Sequence, residues 1–324
     1  MENPVAQETS WIDRHSKPIK WVITIGCYAY LVYFLCHFEY YDEFAQRLAT
    51  WQPVDLLYLL GVLLLLPVNY GIEALKWYLL ARHLDPRLTY TRAYRGIMVG
   101  LAAGFFTPNR IGEPLGRVLE FPAGTRLQGA TRSLIGSSAQ GIATCLFGLV
   151  ALMVWFFQYG GDRSGTMIWA ATAAALFIAV FLLLPSLSHH LIPRTRGNVR
   201  EIAVTISEMD TLTWTVLLLL GCLRYLTYAL QLYLMMLFFL VDLSALEALI
   251  AIPLNYLLVS VLPSVAFSEV GVRATCGTIC LGPFTENVLG GALASAAVWL
   301  VNYVIPMLTG TLLTNKKRQD LQKP

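Results

Sequence analysis

Thr107-Pro108-Asn109-Arg110-Ile111-Gly112-Glu113-Pro114-Leu115-Gly116-Arg117 breaks an otherwise apolar stretch that runs over 96–125. Two prolines, two glycines and three charges in so short a run do not describe a helix that crosses hydrocarbon without interruption. Proline removes a backbone donor and disfavours helix at the residue before it, so Pro108 is expected to break the chain. Gly112 and Gly116 then permit a turn or a close helix approach. A second stretch, 245–281, carries Leu262-Pro263-Ser264-Val265-Ala266-Phe267-Ser268-Glu269-Val270-Gly271-Val272-Arg273. Each has a Pro, a Glu five or six residues on, and an Arg four residues after that. Pro263 and Gly271 are its corresponding break positions.

Around these two stretches the chain is apolar. Of 324 residues, 56% are hydrophobic and 13% charged, against roughly 25% charged in soluble domains. Six uninterrupted segments, 19–38, 54–81, 133–157, 165–185, 213–241 and 287–313, approach or exceed the ~20 residues that span a bilayer core. The longest polar stretch, 185–213, is too short to bury a core of its own. The expected fold is therefore an all-α, polytopic helical membrane protein.

Lysine and arginine are enriched in cytoplasmic loops, and their placement decides whether the broken stretches cross or turn back. With both as re-entrant hairpins and the N-terminus inside, 16 of the 23 basic residues lie inside, two (Arg47 and Arg163) outside, and five at membrane depth. If both stretches cross, the division falls to 12 against six. The hairpin topology is preferred, with both termini cytoplasmic. It makes 1–159 (two spans, hairpin 96–125, span 133–157) an upside-down counterpart of 160–324 (spans 165–185 and 213–241, hairpin 245–281, span 287–313). Inverted repeats with paired discontinuous helices mark secondary-transporter folds.

Ionisable residues at membrane depth are costly and by default functional candidates. Here they are Arg110, Glu113 and Arg117 on the first hairpin, Glu269 and Arg273 on the second, and Glu73, Lys76 and Arg224 on neighbouring spans. A helix restarting after a break offers free N–H groups to an anion, and guanidinium forks match phosphate oxygens. Arg110 and Arg117 are the expected phosphate ligands, Glu113 orients them, and Glu269 with Arg273 closes the path from the other side. The competing reading is structural: Glu113–Arg117, Glu269–Arg273 and Glu73–Lys76 all stand at helical spacing and can neutralise one another.

Other chemistry lacks support in the sequence. A net charge of +3 without aromatic-basic interleaving gives no footprint for nucleic acid. There is no Walker loop and no Ser-His-Asp grouping, so neither ATP-driven pumping nor an enzyme activity is expected. The six cysteines read as small membrane-buried hydrophobes, and Cys276 with Cys280 make a poor metal site without a histidine; no cofactor or metal is expected. The eight tryptophans, mostly near span ends, read as an aromatic belt.

The run Gly104-Phe105-Phe106-Thr107-Pro108-Asn109-Arg110-Ile111-Gly112-Glu113, with Arg117 beyond it, resembles the signature of the lysylphosphatidylglycerol synthase transmembrane-region family. Pro263, Gly271, Val272 and Arg273 match that family's second motif, while Phe267-Ser268-Glu269 and Ala274 depart from it. The resemblance implies a flippase-like membrane domain that moves a phospholipid or a phosphate-linked polyprenyl or glycolipid between leaflets of the inner membrane. The soluble aminoacyl-transfer domain of full-length synthases has no counterpart in these residues, so synthesis of lysylphosphatidylglycerol is not expected. Its expected partner is an anionic or phosphate-linked lipid. The alternative is a non-transporting subunit that scaffolds or regulates an envelope lipid- or glycan-modifying enzyme.

Overall fold

The computed structural model describes residues 36, 42, 45–46, 49–105, 107, 110, 112–119, 121–159, 164–262 and 269–320. The expected first span, 19–38, apart from residue 36, and the break positions Pro108 and Pro263 lie outside them. Eleven α-helices and no strand occur among the described residues. They are α1 (Leu56–Ala81), α2 (Tyr90–Phe105), α3 (Gly112–Arg117), α4 (Arg126–Tyr159), α5 (Ser164–Leu191) and α6 (Gly197–Ser207). After these come α7 (Thr211–Phe238), α8 (Ala245–Val261), α9 (Glu269–Leu281), α10 (Val288–Trp299) and α11 (Ile305–Asp320).

Three helices, α1, α4 and α7, and the α10–α11 run to Leu313 are long and apolar enough to cross a membrane. Helix α5, at 28 residues, rises about 42 Å and is long enough as well. Several helices outrun the hydropathy boundaries. Helix α4 starts at Arg126, so Arg132 is a buried helical residue whose Nη1 donates to the Leu80 carbonyl, 3.2 Å away. Helix α5 continues through Pro185 to Leu191, because neighbouring helices and local adjustment can re-satisfy the freed carbonyl.

Helix starts are capped where polar side chains permit. Asp210 accepts from the Thr213 amide, 3.2 Å away, ahead of α7, and the Thr213 hydroxyl, seconded by that amide, holds its carboxyl below the usual range. Ser244 and Glu247 form a reciprocal capping box at α8. Asn287 caps α10 and donates to the carbonyls of Phe239 (2.8 Å) and Leu240 (3.0 Å), fastening α10 to the end of α7.

Burial is arranged for a lipid environment. Along α7, Leu212, Leu219, Leu223, Leu226 and Leu230 form an exposed stripe, while Trp214, Leu217, Tyr225, Leu232 and Met236 on the same helix are buried. Asn69, Glu73, Lys76, Gln231 and Asn302 are also buried. Apolar side chains outside and paired polar groups inside are what hydrocarbon requires. Trp77, Trp214 and Trp299 are buried too, so they pack inside the bundle instead of joining an interfacial belt.

Both interrupted stretches form helix pairs. Helix α3 folds back antiparallel along α2: a Cβ added at Gly116 would lie 2.8 Å from Gly100 Cα, and one at Gly100 would lie 2.7 Å from the Glu113 carbonyl. Only glycine at both positions allows backbones to approach this closely. Helices α8 and α9 pack on each other as the second pair, and α9 also packs along α10. Glu113 and Glu269 each sit in the first turn of the helix that follows the break.

Candidate functional site

The two pairs meet side chain to side chain. Arg110, between α2 and α3, donates from Nη2 to Glu269 Oε2 at the start of α9. Its guanidinium lies 4.0 Å from the centre of the Tyr303 ring, and its backbone is left-handed at φ 54°. A non-glycine residue there is strained and persists only when its surroundings hold it. Here the ion pair and the ring contact do so.

Behind this contact lies a cavity of about 420 Å³, within the range of small-molecule sites. The first pair contributes Leu101, Arg110 and Glu113, and the second contributes Val259, Ser260, Glu269 and Arg273. Between them, α1 supplies Tyr70 and Glu73, α4 supplies Ser137, Gln140 and Thr144, and α7 supplies Arg224, Tyr225 and Tyr228. Ser137, Gln140 and Thr144 recur at helical spacing, so one face of α4 forms a polar wall.

The rear wall is organised by one carboxylate. Glu73 pairs with Lys76 (2.8 Å), Arg117 (2.9 Å) and Arg224 (2.8 Å). Lys76 also donates to the Gly136 carbonyl at 3.1 Å, and Arg117 to Glu113. Arg224 continues the network through Nε to Asn69 Oδ1 (2.8 Å) and Nη2 to the Tyr228 hydroxyl (3.2 Å). The Asn69 amide in turn donates to Asn302 (3.0 Å) and Gln231 (3.3 Å). Three helices that are distant in sequence are thereby joined at Glu73.

The front wall is looser. Glu269 accepts from Arg110 and from the Trp299 indole, and stands 3.9 Å from Arg273 Nε. That Nε has no hydrogen-bond partner, nor do the Tyr225 and Tyr303 hydroxyls or Gln140 Oε1, all buried atoms of residues that line the cavity. Asn302 and Tyr303 fall in a π-helical turn, Leu300–Val304, between α10 and α11. Such turns occur frequently at functional sites.

Six of the expected site residues, Glu73, Arg110, Glu113, Arg224, Glu269 and Arg273, line the cavity. Arg117 and Lys76 stand behind its wall, buried against Glu73. Gly112 and Gly116 lie where α2 and α3 touch, and Gly271 is buried in α9. Sequence reasoning missed Gln140, Tyr256, Trp299, Asn302 and Tyr303 as lining residues. Amides inside apolar runs, such as Asn69, Gln231 and Asn302, were a usable signal; the aromatic rings were not distinguishable from core. No group of three or more His, Cys, Asp or Glu placed to hold a metal occurs among the described residues.

Residues 20–310 match the family model described as the lysylphosphatidylglycerol synthase TM region. The chain belongs to that family, as a membrane-embedded, lipid-related protein. No curated protein matches it.

Proposed function

We propose that this family member carries an anionic or phosphate-linked lipid headgroup between the leaflets of the inner membrane, without itself catalysing a covalent reaction. The observation that carries the reading is the polar cavity walled by both helix pairs, with Arg110 and Glu269 in contact beside it. A headgroup crossing hydrocarbon needs a polar path and compensating charge. Arginine supplies both a permanent charge and a fork for phosphate oxygens. In this reading the two pairs are re-entrant hairpins of an inverted repeat, 1–159 and 160–324, and both termini are cytoplasmic. Glu269 holds Arg110 in the empty state and yields it to the cargo.

The competing reading, a non-transporting subunit that scaffolds or regulates an envelope lipid- or glycan-modifying enzyme, is favoured by one observation. Every carboxylate of the cluster is already in an ion pair. Reconstitution separates the two. Vesicles carrying the purified protein and a headgroup-labelled phosphatidylglycerol are scored for label that becomes inaccessible to an external quencher. Transport predicts flipping above protein-free vesicles, lost in Arg110→Ala and reduced in Arg110→Lys, which keeps the charge but not the fork. Unchanged rates in folded variants would return the cluster to a structural role.

A further inference from the structure

The charges around the cavity do not balance. Among the described residues, Glu73 and Glu113 face Lys76, Arg117 and Arg224 on the rear wall, and Glu269 faces Arg110 and Arg273 on the front wall. Each wall carries one positive charge more than its carboxylates neutralise. The rear excess is presented by Arg224, which lines the cavity. The front excess is presented by Arg273, 3.9 Å from Glu269 and with an unbonded Nε. Uncompensated charge in a low-dielectric interior is unfavourable, so an occupant that supplies the missing charge is favoured over one that does not.

We infer that the cavity selects a headgroup with two negative charges, a phosphomonoester or a diphosphate, over monoanionic, zwitterionic or cationic headgroups. The inference rests on the transport reading for its site and deepens it by naming the class of cargo. Charge alone would attract any anion, but the unbonded groups sharpen the choice. Arg273 Nε and the hydroxyls of Tyr225 and Tyr303, buried atoms of residues that line the cavity, are donors without acceptors. Tyr225 is only 2% exposed and stacks flat on Phe147, ring centres 4.4 Å apart, so its hydroxyl is held in place. A phosphate dianion brings several acceptor oxygens along with the charge. A cationic aminoacylated headgroup would add charge to a site already in positive excess.

The test is binding, read separately from flipping. Full-length protein in phosphatidylcholine nanodiscs is titrated at pH 7 with farnesyl phosphate, farnesyl diphosphate, phosphatidic acid, phosphatidylglycerol or lysylphosphatidylglycerol. The readout is quenching of tryptophan emission, since Trp299 lines the cavity. Inorganic phosphate and pyrophosphate form further arms, and they reveal whether the anion suffices without its lipid. The dianions should bind about tenfold or more tightly than phosphatidylglycerol. Arg273→Gln should erase most of that preference, and Glu269→Gln, which adds one net positive charge, should strengthen it. Equal binding of phosphatidic acid and phosphatidylglycerol, or tightest binding of the cationic lipid, overturns the inference. Flipping of phosphatidylglycerol without dianion preference leaves transport standing and removes the inference; dianion binding without flipping does the reverse.

Discussion

Replacing Glu73 with Gln removes the one carboxylate that Lys76, Arg117 and Arg224 share. Arg117 keeps Glu113, but Lys76 is left with only the Gly136 carbonyl. Arg224 is left with the neutral Asn69 and Tyr228. Two buried cations thus lose their counter-charge. Breaking a buried pair by deleting one partner costs about 3–5 kcal/mol, and the 2% exposure of Glu73 leaves little room for water to reduce that. Glu73→Gln should therefore destabilise the protein by about 3–5 kcal/mol.

Lys76→Met supplies the internal control. Alone it leaves Glu73 and Glu113 facing Arg117 and Arg224 in balance, so no buried charge is left uncompensated and it should cost about 1 kcal/mol or less. Combined with Glu73→Gln it removes one of the orphaned cations and should recover about 1–3 kcal/mol, a coupling typical of residues in one network. Equilibrium unfolding in mixed detergent micelles, followed by tryptophan fluorescence, measures all three variants. A loss below about 1 kcal/mol for Glu73→Gln, or simple additivity in the double variant, would refute the view that Glu73 is the hub.

Gly116→Ala should cost about 1–3 kcal/mol, since its Cβ would lie 2.8 Å from Gly100 Cα. Gly141→Ala in the middle of α4 meets nothing within 4 Å and should instead stabilise by about 0.5–1 kcal/mol, both measured by the same unfolding assay. Asn69→Leu should lose about 1–3 kcal/mol by leaving the bonds of Arg224, Gln231 and Asn302 unmade. A cysteine at the exposed position Asn198 should react with a membrane-impermeant thiol reagent only when the cytoplasmic face is opened, and labelling of intact cells would overturn the proposed topology.

Composition and period were enough to read the class of fold, because hydrocarbon permits so few backbone solutions. The two interrupted stretches were also legible, since Pro and Gly act on the backbone locally. Partner choice was not. The spacing of Glu269 and Arg273 suggests a helical pair, yet Glu269 bonds Arg110, 159 residues away, and leaves Arg273 at 3.9 Å. Lys76 and Glu73 do pair as spaced, but Glu73 also collects Arg117 and Arg224 from two other helices. A one-dimensional pattern reports which residues share a helix face; it holds no information on which faces the tertiary fold brings together. Trp299 illustrates the same limit: its place midway along the 287–313 span does not tell lipid from core, and tertiary packing puts its indole on Glu269.

The two walls differ in a way that bears on which contact would yield during the proposed transport cycle. At the rear, Glu73 is bonded at 2.8–2.9 Å to three cations whose side chains are 1–12% exposed. Opening that cluster would strand charges with no water to receive them, so it behaves as a fixed pivot between α1, α3 and α7. At the front, the Arg110 side chain is 32% exposed and Arg273 stands 3.9 Å from its carboxylate. Those cations can exchange one anionic oxygen for another without passing through a desolvated, unpaired state. Arg110 also sits in a strained backbone conformation that its contacts with Glu269 and Tyr303 maintain. A phosphate that displaces Glu269 from Arg110 would remove one of those restraints and let the junction between the two helix pairs relax. In the proposed transport function, coupling of cargo to movement would follow from the competition between phosphate and Glu269 for Arg110, while Glu73 keeps the rest of the bundle in register.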